Sequence, residues 1–137
     1  MPDQTPPNAA MEWVGGMRFR GGVPGGPTML IDADAGEAPG PMVTLLLALG
    51  SCAGADVVGL MPKMQVELER FTMELRGTRA PEHPRRWTAI HFTVHLAGAG
   101  LDEVKARRAM DLSIEKYCSA INSLNPDIPV TYDLVLG

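Results

Sequence analysis

The spacing of apolar residues along this chain switches between strand-like and helix-like rhythms. Trp13 to Arg20 reads as a strand with Trp13, Met17 and Phe19 on its apolar side. Gly21 to Pro27 is a turn rich in Gly and Pro, and Thr28 to Ala33 returns as a short strand, which predicts a hairpin. Asp34 to Gly40 is loop. Pro41 suits the first turn of a helix, because its missing N–H would be unpaired there. The apolar run Met42 to Met61 follows, until Pro62 stops it. Val66 to Arg79 alternates, with Phe71, Met73 and Leu75 on one face. Ala80 to Pro84 is a turn. Trp87 to Ala97 alternates again through Ile90, Phe92, Val94 and Leu96. After the break at residues 97–100, Asp102 can cap a helix. Met110, Ile114, Tyr117, Ile121 and Leu124 form its apolar stripe, with Cys118 beside it and Asn125-Pro126 at its end. Ile128, Val130, Tyr132, Leu134 and Leu136 alternate in a last strand.

The predicted order is ββ–α–ββ–α–β, an α+β protein with an antiparallel sheet. Each half has two strands followed by a helix that carries one cysteine. The 137 residues fit a single domain, 1–137, with residues 1–10 expected to be flexible.

Composition removes several functions. Hydrophobic residues make up 45% and charged residues 20%, which is globular rather than disordered. A net charge of −4, with only short basic runs at Arg85-Arg86 and Lys105 to Arg108, gives no footprint for nucleic acid. Two cysteines are too few for a disulfide-built secreted domain. Met1 to Ala10 is Pro-rich without an apolar stretch, unlike a signal peptide, so a cytoplasmic location is expected. Met42 to Met61 is long enough to cross a bilayer. Asp56 would then lie inside it at high cost, so a buried core helix and no membrane partner are expected.

Cys52 lies within that helix, between Gly50-Ser51 and Ala53-Gly54. Small neighbours allow a ligand or another segment to approach closely, and they also weaken a helix. Two readings of the cysteines stand at this point. They are small buried hydrophobes, or they are a reactive thiol and its resolving partner. Their separation in sequence does not choose between these.

A resemblance bears on that choice. Pro41-Met42, Leu45 to Ala53 and Asp56-Val57-Val58 resemble the first cysteine helix of the OsmC/Ohr family of thiol redox proteins. Leu112 to Ser119 resembles the family's second cysteine motif, Glu82 to Ile90 the segment between, and Trp13 to Phe19 the start. The likeness implies an intertwined homodimer, with antiparallel sheets wrapped around two central cysteine-bearing helices. It also implies reduction of organic hydroperoxides. Cys52 as thiolate would attack the O–O bond and become a sulfenic acid. Cys118 would then close a disulfide, and an external dithiol reductant would reopen it. No metal or bound organic cofactor is required by this chemistry.

The sequence also departs from the family pattern. Peroxidase members use an arginine beside the thiolate, held by a glutamate near the start of the first cysteine helix. Here that stretch is Met42-Val43-Thr44. The nearest acids are Glu37 and Asp56, and an anionic Asp56 would oppose thiolate formation unless paired elsewhere. Arg18 and Arg20, on one strand face, are the candidates for the arginine. The expected activity is therefore weak, in a divergent branch. The alternative is a non-catalytic binder of a small hydrophobic ligand, or a redox sensor, using the same dimer interface. His91 and His95 share a strand face at roughly 13 Å, too far apart for one metal ion. His83 reads as a turn residue, and the nine methionines as core and dimer filling.

Overall fold

The computed structural model describes residues 5–137, in two compact units. The expected flexible start at residues 1–10 lies partly outside the described residues, and Ala10 already pairs with Gly22 in a sheet.

The N-terminal unit, up to Leu45, holds a three-stranded antiparallel sheet in the order β1-β2-β3: β1 (Ala10–Trp13), β2 (Arg18–Gly22) and β3 (Thr28–Asp32). The single strand expected over Trp13 to Arg20 is instead a turn joining two strands. Gly15 and Gly16 adopt φ of 107° and 56°, a region open to glycine at little cost. Val14 N–H donates to the Arg18 carbonyl and Arg18 N–H to that of Gly15, both at 3.0 Å, closing the turn. The Trp13 indole N–H caps Gly16 O at 2.8 Å.

In the C-terminal unit, from Leu46, α1 (Pro41–Leu60) supplies its later turns. Proline opens the helix and Pro62 follows its end, as the sequence predicts. The helix buries Leu46, Leu49, Gly50, Ala53, Gly54 and Val57, one stripe at helical spacing. By length and composition alone it could cross a membrane, yet a third of its apolar window is buried inside the protein. The small residues at 50 and 54 serve packing against a sheet. A Cβ on Gly50 would lie 2.8 Å from Leu75, and one on Gly54 would lie 3.4 Å from the Phe71 ring. The collar around Cys52 is thus in part a helix–sheet contact.

That sheet has the order β4-β5-β6: β4 (Glu67–Arg79), β5 (Trp87–Ala99) and β6 (Val130–Leu136). Central β5 carries the core, with Trp87, Ile90, Phe92, Val94 and Leu96 buried. It pairs with β4 antiparallel and with β6 parallel. The expected antiparallel pairing is met by β4 and β5, while β6 runs parallel to β5. The chain between β5 and β6 includes α2 (Glu103–Leu112), and such a crossover lets the next strand run the same way. Asp102 caps α2 as expected, accepting Lys105 N–H at 2.8 Å.

The second helix is shorter than its stripe predicts. Beyond Leu112 the chain widens into a π turn, Ser113–Tyr117, and Cys118 is extended at φ −74°, ψ 101°. Its N–H donates to the Ser113 carbonyl at 2.7 Å, five residues back. One extra residue in the turn rotates every later side chain about the helix axis. Tyr117, expected inward, is half exposed, and Cys118 is fully buried in its place.

Candidate functional site

Cys52 sits on α1 in the C-terminal unit, next to buried Ala53, and is itself only half buried. Cys118 reaches toward it from the end of the π turn, its thiol close enough for Cys52 to perturb its ionisation, and both thiols are free. Two segments 66 positions apart in sequence are thereby brought together, because α1 and the turn after α2 belong to one packed unit.

Cys118 is held on several sides. Its sulfur accepts the Ile121 N–H at 3.4 Å. Its carbonyl accepts from the Asn122 backbone at 3.0 Å and from the Asn122 side-chain amide at 2.9 Å. The same amide bonds the Ile114 carbonyl at 3.1 Å, tying the π turn to the short 3₁₀ turn Ile121–Ser123. Burial pushes the Cys118 thiol up to about 11 from an ordinary 9.0. The Ile121 N–H opposes that rise, while contact with Cys52 and the Asp56 carboxylate add to it.

Asp56 does have a partner. Ser113, fully buried, donates its hydroxyl to the Asp56 carboxylate at 2.9 Å. Sequence patterning does not mark Ser113, because its place beside Asp56 arises only in the folded chain.

Arg18 and Arg20 lie on β2 in the N-terminal unit. Arg18 forms an ion pair with Glu37 at 2.7 Å, and its Nε donates to the Gly15 carbonyl at 3.3 Å. Glu37 is positioned by a compact loop. Buried Asp32 accepts backbone N–H groups from Glu37 at 3.0 Å, Asp34 at 2.9 Å and Gly36 at 3.2 Å. These bonds, that of Glu37 first, hold the Asp32 carboxyl below its usual value against the effect of burial. Arg20 is exposed and lies opposite Glu12 in the strand register. Met11, Phe19, Met29 and Ile31 line an apolar hollow of about 450 Å³ on this sheet.

The histidines go to other partners. His91 bonds Thr131 at 2.7 Å and Asp133 at 3.1 Å, and His95 lies 3.8 Å from Glu74.

An accessible thiol beside a buried one, on a helix packed against a mixed sheet, defines a thiol-pair protein of α+β architecture. The chain belongs to the OsmC-like protein family, whose profile matches residues 34–133. It is 34% identical over 125 residues to Protein YhfA of Escherichia coli (strain K12), covering 90% of this chain and 93% of that protein. The OsmC-like protein from Mycoplasma pneumoniae superposes with a TM-score of 0.81 at 15% identity, over 98% of this chain and 99% of that one. The organic hydroperoxide resistance protein OhrB of Bacillus subtilis gives 0.59 at 17% identity, over 93% and 97%. At these identities the structural likeness is one of fold.

Proposed function

We propose that this protein reduces organic hydroperoxides through Cys52 and Cys118, drawing electrons from an external dithiol. The observation that carries the reading is the accessible Cys52 thiol within reach of the buried Cys118 thiol. The Cys52 thiolate attacks the terminal peroxide oxygen. The O–O bond breaks, the alkoxide takes up a proton and leaves as the alcohol, and Cys52 becomes a sulfenic acid. Cys118 then attacks that sulfur, its thiol proton leaves with the hydroxyl as water, and the disulfide forms. The dithiol reductant exchanges through a mixed disulfide and leaves oxidised, restoring both thiols.

Arg18 is the arginine to which we assign stabilisation of the thiolate. It already has a carboxylate partner in Glu37, a residue just ahead of α1, where the start of the helix itself has none. Turnover is expected to be slow. Burial pushes the Cys118 thiol up to about 11, which leaves the resolving group little ionised at neutral pH.

The proposal includes a homodimer working in the reducing cytoplasm. Its support is the apolar surface left on each unit: Met11, Trp13 and Met29 on the N-terminal sheet, and Leu47 and Val58 on α1. A second reading, a binder of a small hydrophobic ligand, is favoured by the hollow beside Phe19 and Met29, whose volume suits a small molecule.

Mass spectrometry after one equivalent of cumene hydroperoxide separates the two. The peroxidase reading expects a Cys52–Cys118 disulfide in the native protein and a Cys52 sulfenic acid in Cys118→Ser. Unchanged thiols in both would overturn it in favour of the binder.

A further inference from the structure

We propose that Asp56 and Ser113 form a positioning clamp that holds Cys118 in register against Cys52 and sets how readily their disulfide closes. The inference rests on the thiol-pair reading and adds two residues to it.

Asp56 follows Cys52 by four residues on α1, so both side chains leave the same helix face one turn apart. The Asp56 carboxylate accepts the Ser113 hydroxyl at 2.9 Å, across 57 positions of sequence. Ser113 is fully buried, and its own carbonyl accepts the Cys118 N–H at 2.7 Å, the bond that closes the π turn. Two hydrogen bonds in series therefore connect the Cys52 helix to the backbone of Cys118.

The register needs such a hold. A π turn is rare, and ordinary helical spacing is the common alternative for such a segment. With four residues per bond instead of five, Tyr117 would occupy the inward position and Cys118 would turn away. A disulfide tolerates little of this, since its geometry is narrow in both distance and torsion. Packing alone would not require the pair. The Asp56 carboxylate opposes ionisation of Cys118, and apolar side chains would fill the same space without that penalty. What a buried hydroxyl–carboxylate bond supplies is direction, and it fixes one register among those that packing permits.

The test uses the full chain in glutathione redox buffers. Oxidised glutathione takes two electrons from the thiol pair, giving the Cys52–Cys118 disulfide and two molecules of reduced glutathione. Trapping free thiols by alkylation and weighing the protein gives the equilibrium constant. Ser113→Ala and Asp56→Ala are expected to lower it at least tenfold. Asp56→Asn, whose amide oxygen still accepts the Ser113 hydroxyl, is expected to stay within threefold of the native protein. A wild-type constant in Ser113→Ala would overturn the clamp while leaving the thiol pair intact. An Asp56→Asn loss as large as that of Asp56→Ala would overturn it too, by showing that charge is what matters. A native protein that forms no disulfide at any glutathione ratio would fail the thiol-pair reading itself, and the clamp with it.

Discussion

Arg18 donates to the Glu37 carboxylate at 2.7 Å, joining β2 to the loop that runs into α1. Both side chains are partly solvated, and surface pairs of this kind contribute about 0–1 kcal/mol. The pair is thus a weak support for folding. Glu37→Gln and Arg18→Ala should each shift the urea midpoint by no more than about 1 kcal/mol equivalent. Under the proposed function, Arg18→Ala lowers the second-order rate of Cys52 oxidation by cumene hydroperoxide at least tenfold. Arg20→Ala changes it less than twofold. Stopped-flow measurement of the three proteins decides, and a larger effect of Arg20→Ala would reverse the assignment.

The two thiols differ in access, and this predicts an order of labelling. Cys52 is half buried, whereas Cys118 has no exposed surface. Burial also raises the Cys118 thiol to about 11, so it offers little thiolate at neutral pH. Iodoacetamide on the folded, reduced protein at pH 7.5 should modify Cys52 first, with Cys118 reacting at least a hundredfold more slowly. In urea the two should react at comparable rates. Peptide mapping across a time course reads both. Equal rates in the folded protein would contradict the buried placement of Cys118.

Much of this arrangement is legible in the chain, and the unread parts have identifiable causes. Pro41 and Pro62 bracket α1, and the alternation from Ile90 to Leu96 marks a strand whose one face is core. The direction of β6 is not legible, because alternation looks the same in parallel and antiparallel partners. The turn at Gly15-Gly16 is masked by apolar residues on both sides, which continue the look of one strand. The stripe through Tyr117 assumes a constant helical period, and one inserted residue in the π turn breaks it. Cys52 and Cys118 stand out in sequence as the only two cysteines. Ser113 gains its place only through a bond to a residue 57 positions away.

One largely apolar face of α1 is exposed in the single chain. Leu47, Ser51, Ala55 and Val58 are all exposed and recur at helical spacing, on a different side from the buried stripe. On a monomer, Leu47→Glu would be a surface change worth no more than about 0.5 kcal/mol. In the proposed homodimer, a carboxylate there would be taken out of water without a partner, at a cost of several kcal/mol. Light scattering should therefore give a dimer mass for the native protein and a monomer mass for Leu47→Glu at the same concentration. A native monomer would remove the dimer, and a variant that stays dimeric would move its interface away from this face.

The buried resolving thiol also predicts how stability depends on pH. Desolvation first, then contact with Cys52 and the Asp56 charge, raise the Cys118 thiol from 9.0 to about 11 in the folded chain, against the pull of the Ile121 N–H. The folded state therefore holds this proton more tightly than the unfolded state. Below pH 9 both states are protonated and the contribution is fully present. Between about 9 and 11 the unfolded chain ionises first, it binds fewer protons, and stability falls as pH rises. Tyr132 is likewise raised, to about 12, by burial and by its bond to Asp111, and it adds a loss that begins near its ordinary value of 10. A comparison confined to pH 8–10 and made against Cys118→Ala isolates the thiol. Urea midpoints of the reduced native protein should fall between pH 9 and pH 10 more steeply than those of Cys118→Ala, while the two run parallel between pH 8 and the onset of that fall. Parallel curves throughout would mean that Cys118 ionises as easily folded as unfolded, and would rule out the environment described for the resolving thiol.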